Sequence, residues 1–206
     1  MNKKQIKIKH GWDLLTLAEA NQIEQIMSAD IPSDYKAVNL LSVLSGEDVS
    51  LFENMPLNQF TQIIKVIDFL TTEMPDVKVQ NSYEINGHKY VVKADIPSIS
   101  TAQYIDYQNY MREQPIDLQK VISVFLIPEG HLYNDGYDMN EVWSDINDMK
   151  IVDAKALGFF IQKQSALYTI VLENYLSNQM KKMKIPKTKI EEDLTPLKAM
   201  ALSLLS

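Results

Sequence analysis

The sequence predicts an α+β fold, a predominantly helical single domain carrying a small antiparallel β-sheet. Three observations predict it. Apolar residues at three- and four-residue spacing recur through most of the chain, bounded by Pro, Gly and capping residues. One stretch, residues 80–93, instead alternates around Asn86-Gly87, the strongest short-range hairpin signal, because a type I′ turn needs positive φ at both central positions. A second short alternation, KQIKIK at residues 4–9, is the candidate third strand, with Ile6 and Ile8 on one face and lysines suited to a sheet edge.

In chain order, Gly11 and Trp12 break the first alternation. Thr16-x-x-Glu19 is then a capping box that opens a helix through Leu17, Ala20, Ile23, Ile26 and Met27. Ile31-Pro32 ends it. Ser33 is the expected N-cap of a second helix carrying Tyr35, Val38, Leu41 and Leu44, with Gly46 as its stop. A short helix is expected over 47–54. A longer one is expected over about 57–72, where Phe60, Ile63, Ile64, Ile67, Phe69 and Leu70 give a broad apolar face. Helices this short depend on packing more than on propensity.

In the hairpin a two-residue turn pairs Ile85 with His88, Glu84 with Lys89 and Tyr83 with Tyr90. Tyr83, Ile85, His88, Tyr90 and Val92 form a face that the helix at 101–112 and the long C-terminal helix are expected to cover. Ser100-x-x-Gln103 is a second capping box. The helix it opens stops at Pro115, and helical spacing resumes from Ile116 to Ile127, until Pro128. Residues 128–137, PEGHLYNDGY, read as a loop, and 139–149 as a short helix around Val142, Trp143 and Ile146. The longest periodic segment, 153–183, holds Gly158 and no Pro, so one helix is expected there.

The expected organisation is a globular domain over 1–180, a lysine-rich linker over 181–193 and a C-terminal amphipathic helix over 194–206. Thr195-Pro196 pairs an N-cap with Pro at the first helical position. Leu197, Met200, Leu204 and Leu205 then share one face and are the candidate partner-binding residues. Such a helix either docks back on its own domain or inserts in a groove of another protein.

Composition narrows the chemistry. The chain has 206 residues, a formal net charge of −7 and no Cys. The acidic balance argues against a basic nucleic-acid surface, and the lack of Cys excludes disulfides and thiolate sites. With no apolar h-region after the basic N-terminal residues and no run of about 18 apolar residues, neither a signal peptide nor a membrane span is expected. The expected location is the cytoplasm. His10, His88 and His131 lack H-x-x-x-H or H-x-H partners, so no zinc site is expected. Asn134, Asp135, Asp138, Asn140 and Glu141 offer oxygen ligands without EF-hand spacing, and read as turn and cap residues. Walker A, G-x-G-x-x-G, G-x-S-x-G and H-E-x-x-H are absent. The expectation is a protein that is not an enzyme and needs no cofactor.

Five segments carry a resemblance: W-D-x-L-T-L (Trp12 to Leu17), L-S-x-L-S-G (Leu41 to Gly46), Phe69-Leu70 at a helix end, Y-x-I-N-G-x-K-Y (Tyr83 to Tyr90) and T-A-Q-Y-I-D (Thr101 to Asp106). Over roughly residues 10–180 the chain resembles small proteins encoded among the structural genes of tailed phages and prophages of Bacteroidetes, some placed where a tail assembly chaperone is expected. The resemblance implies a non-enzymatic morphogenesis protein, or alternatively a structural virion component of the neck, tail or capsid interior. Its implied partners are other phage structural proteins: tape measure, tail or capsid proteins, or a second copy of the chain. Its implied place is the host cytoplasm or the virion. Ten Met suit a surface that adapts to apolar partners.

Overall fold

A computed structural model describes residues 6–182. They form eight α-helices and a three-stranded antiparallel sheet, the α+β class expected. The described chain divides into two compact units, residues 6–78 with Asn140–Lys155, and Val79–Met139 with residues 156–182.

The first unit is helical. A 3-10 turn, Trp12–Leu14, precedes α1 (Leu17–Ser28), α2 (Ser33–Ser45), α3 (Val49–Glu53) and α4 (Leu57–Ile63). The capping box at α1 is complete: the Glu19 amide donates to Thr16 Oγ1 at 3.2 Å, and the Thr16 amide to Glu19 Oε2 at 3.0 Å. Gly46 caps α2 in the left-handed region at φ 68°. Ser33 lies one residue inside α2, and Pro32 holds the N-cap position. Leu17, Ile23, Leu40, Leu41, Leu44 and Phe52 form the core. Beyond α4 the expected helix tightens into 3-10 geometry over Ile64–Thr71. Its apolar pairs, Ile63-Ile64, Val66-Ile67 and Phe69-Leu70, repeat every three residues, so three residues per turn keep them on one side. Trp12 packs edge-on against Phe69, with ring centroids 5.5 Å apart, and its indole donates to the Thr72 carbonyl at 3.2 Å.

This unit recruits a distant segment. Helix α7 (Met139–Asp148) and the start of α8 (Ile151–Lys182) join through an antiparallel bridge between Thr16 and Lys150. The Leu17 amide donates to the Met149 carbonyl at 2.8 Å, and the Ile151 amide to the Leu15 carbonyl at 2.9 Å. No local pattern announced this pairing.

The second unit holds the sheet, in the order β1 (Ser82–Ile85), β2 (His88–Val92), β3 (Leu126–Pro128). The hairpin has the expected register, Tyr83 opposite Tyr90, Glu84 opposite Lys89 and Ile85 opposite His88. Asn86 and Gly87 both take positive φ, 53° and 84°. Tyr83, Ile85 and Tyr90 are buried and Val92 is half-buried, whereas His88, expected on the same face, is exposed. Lys89 pairs with Glu129, across the sheet from the expected Glu84.

The third strand is a correction. Residues 6–9 form no strand, and residues 4 and 5 lie outside the described part. The Lys9 amide donates instead to the Leu44 carbonyl at 2.9 Å, at the end of α2, and its ammonium pairs with Glu19 at 2.6 Å. The strand is β3, where Val91 faces Ile127 and Val92 faces Leu126. Helix α6 (Leu118–Phe125) therefore stops two residues short of the expected Ile127. Leu126 and Ile127 gain ladder bonds and full burial there, and Pro128, with no N–H, is placed at the strand's end on a sheet edge.

Helix α5 (Thr101–Tyr110) packs on α6. Its capping box is half realised. The Gln103 amide donates to Ser100 Oγ at 3.1 Å, but the Gln103 side chain donates to the Val124 carbonyl at 2.7 Å, buried in the last turn of α6. Tyr107 and Phe125 meet edge-on, with centroids 5.2 Å apart. At Gly158 α8 passes close to α6: a Cβ there would lie 2.5 Å from Leu118 Cδ1.

Candidate functional site on the distal half of α8

Helix α8 runs unbroken from Ile151 to Lys182, about 48 Å at 1.5 Å per residue. At 100° per residue, Leu157, Ile161, Ser165, Tyr168, Leu172 and Leu176 fall on one face, within an arc of about 100°. Leu167, Val171 and Tyr175, four residues apart, form a row along its flank. Sequence periodicity therefore marks one continuous apolar stripe from Leu157 to Leu176.

Burial is not continuous along it. Leu157 and Ile161 are 0% exposed. Leu167 is 44% exposed, Val171 64% and Tyr175 58%. Leu172 and Leu176 are each 36% exposed. Fully burying a Val or Leu side chain is worth about 1.5–3 kcal/mol relative to leaving it in water, so much of this face's stabilisation is unrealised. Contiguous apolar exposure of this kind marks interaction surfaces, whereas scattered apolar residues do not.

The reason lies in α5. Tyr107 reaches the side chain of Ser165 in a hydrogen bond, and Tyr104 meets Tyr168 edge-on with centroids 6.5 Å apart. Advancing along α8 therefore means retreating along α5. Tyr104 is already near the beginning of α5, which starts at Thr101. About one turn beyond Tyr168 its cover ends. Burial raises the phenol pKa of Tyr107, with the Ser165 hydrogen bond pulling the other way. Burial also raises that of Tyr104, helped by the neighbouring Tyr168. Both phenols are thus held neutral where α5 seals α8, and the face beyond them offers apolar contact rather than acid–base chemistry.

The acidic loop after β3 is organised by its own turns. Asn134 takes a positive φ of 59°, its amide donates to the Tyr137 hydroxyl at 3.3 Å, and His131 lies 3.1 Å from the Asp135 carbonyl through Nδ1. The Tyr133 hydroxyl donates to Asp106 Oδ2 at 2.7 Å, and burial, followed by that carboxylate, raises its pKa. Among the described residues no three His, Asp or Glu side chains group to hold a metal ion. No helix among them is long and apolar enough to cross a membrane. A shallow groove of about 390 Å³ lies between α1 and α2, lined by Gln22, Gln25, Ile26, Asn39 and Val43.

The candidate partner-binding residues Leu197, Met200, Leu204 and Leu205 lie outside the described residues, as do 183–193 of the linker, while Lys181 and Lys182 are still helical. The α8 face was not singled out from the sequence. Its spacing was legible, but an apolar stripe reads as core until the structure shows where its cover ends. No family model, curated protein or solved structure matches the chain.

Proposed function

We infer that the protein acts by binding other proteins, as a tail assembly chaperone-like morphogenesis factor of a tailed phage. One observation carries the binding part of this reading. The face of α8 that is sealed at Leu157 and Ile161 stays open from Leu167 to Leu176. A helix face of this kind accepts an amphipathic helix, read as anchors at i, i+3 and i+7. The resemblance of residues 10–180 to phage structural-module proteins supplies the class of partner, an apolar helical segment of a tape measure, tail or capsid protein held until assembly. Under this reading the protein works in the host cytoplasm and needs neither cofactor nor catalytic residue.

The test is co-elution of the purified chain with tail-tube and tape measure proteins on size exclusion. A complex is expected, and Val171→Asp should abolish it without lowering Tm, because Val171 is mostly in water already. No complex with any tail protein, or a complex indifferent to Val171→Asp, would overturn the reading. Peptide counts from purified virions distinguish the alternative, a structural component retained in the particle.

A further inference from the structure

We propose that residues 64–71 are a two-state helical segment, held in 3-10 geometry by Trp12 and converting to α-helix when that contact opens. The device lies wholly within the first unit and does not depend on the face of α8.

Its length is unusual. Eight residues, Ile64–Thr71, keep 3-10 geometry. Runs beyond about three or four are uncommon because the hydrogen bonds are poorer, and a 3-10 stretch within a longer helix often marks a hinge or strain. This one continues α4 without a break, since Ile63 and Ile64 both keep right-handed helical angles, at φ −84° and −58°. The segment packs on α2, but neither it nor α4 holds a fully buried residue. No sealed side chain therefore pins the backbone to one helical pitch.

The sequence suits both geometries except at one residue. Continued as α-helix at about 100° per residue, Phe60, Ile63, Ile64, Ile67 and Leu70 share an arc of about 120°. Phe69 then falls about 100° outside it, between Asn58 and Gln62 on the polar side. At about 120° per residue Phe69 instead stands in line with Ile63 and Val66. There Trp12 meets it edge-on, with centroids 5.5 Å apart. The indole N–H donates to the Thr72 carbonyl at 3.2 Å, and the Thr72 amide closes the last turn on the Phe69 carbonyl at 3.0 Å. Trp12 has a fixed base, because Leu15 and Leu17 just after it are sealed in the core. It thus holds both the one residue that favours 3-10 over α and the residue that ends the segment.

Opening this contact lets the segment rewind. Passing from a rise of about 2.0 Å to about 1.5 Å per residue withdraws its end by about 4 Å and turns Phe69 by about 120° relative to Ile63. Trp12 and Phe69 cover each other in the latched form and part in the other. The exposure of two aromatic side chains is thereby coupled to the length of one helix.

The chain lacks Cys, so one pair of spin labels can be placed without background. Thr61 and Thr71 are exposed. They stand about 80° apart around the axis in either geometry, so labels at Thr61→Cys and Thr71→Cys report the change in rise alone. With no other substitution the labels are expected at the 3-10 separation. Trp12→Ala is expected to shorten it by about 3–4 Å. Phe69→Gln, which suits the polar side of the α form, should shorten it likewise with Trp12 in place. In unlabelled protein, nuclear Overhauser contacts from Ile64 Hα to the Asp68 amide and from Ile67 Hα to the Thr71 amide should be absent from the wild type and present in both variants. A wild type already at the shorter distance, a variant that stays at the wild-type distance, or a broad distribution showing that the segment unfolds instead of rewinding would each overturn the proposal. The two variants act on opposite sides of the latch, so loss of folding in one leaves the other to decide.

Discussion

Leu157 and Leu172 stand on the same face of α8, about 22 Å apart along one helix axis. The first is sealed and the second is more than a third exposed. Both lie on the same apolar period, and neither residue type differs. What differs is the neighbour. Leu157 lies one residue from Gly158, where α8 passes close to Leu118 of α6, while Leu172 lies a turn beyond Tyr168, whose ring meets Tyr104 of α5. An apolar stripe states that a face needs cover, but the length of the covering helix decides how much of it is core.

Truncation of the two leucines tests that contrast most sharply. Leu157→Ala is expected to cost about 2–5 kcal/mol in denaturant unfolding, the usual range for a sealed core position. Leu172→Ala is expected to cost less than about 1 kcal/mol, since its surroundings are already partly water and loosening there need not unfold the rest. Equal costs would mean that the distal half of α8 is core after all.

A polar position under the cover should behave like Leu157 rather than Leu172. Gln103→Ala removes the buried donor to the Val124 carbonyl and leaves that acceptor without its partner, which costs about 1–3 kcal/mol. Glu19→Ala, at the equivalent position of the more exposed capping box, should cost about 0.5–1 kcal/mol. If the two variants melt together, the tertiary bond of Gln103 contributes nothing beyond a cap.

A small, pH-dependent effect is expected at Tyr133, half-buried over Asp106. Tyr133→Phe loses one hydrogen bond, about 1 kcal/mol at neutral pH. Its phenol pKa is raised in the fold, so the neutral form is the one stabilised. That contribution is complete below the ordinary tyrosine value of about 10 and drains as pH rises through the folded value. The gap between wild type and Tyr133→Phe should therefore narrow above about pH 10. A gap that widens with pH would reverse the sign of the shift.

Much of the fold was legible because its signals are local. The Asn86-Gly87 turn set the hairpin register, since few residue pairs accept two positive φ angles in succession. Thr16 and Glu19 found each other because they are one helical turn apart. The misread elements were those decided by distant partners. Residues 4–9 had the alternation of a strand, but β3 took the free edge of β2, and Lys9 turned to the end of α2 and to Glu19. Leu126 and Ile127 continued a helical pattern and became strand, because the β2 ladder offered their backbone groups partners that a helix ending at a proline does not. For the same reason the sequence marks Leu197, Met200, Leu204 and Leu205, whose amphipathic pattern is self-contained, and does not mark Val171, Leu172, Tyr175 and Leu176, whose pattern merges with the core stripe.

The sequence by itself determined the α+β class, the hairpin, most helix limits and the apolar period of α8. Each depends on residues within a few turns of one another, where sterics, capping and spacing act directly. Only the tertiary structure decided which strand completes the sheet, that Gln103 leaves its cap for the Val124 carbonyl, and where along α8 the core gives way to an open face. Those outcomes depend on which of several comparable partners arrives, and α5, which starts at Thr101, ends its cover of α8 soon after Tyr168.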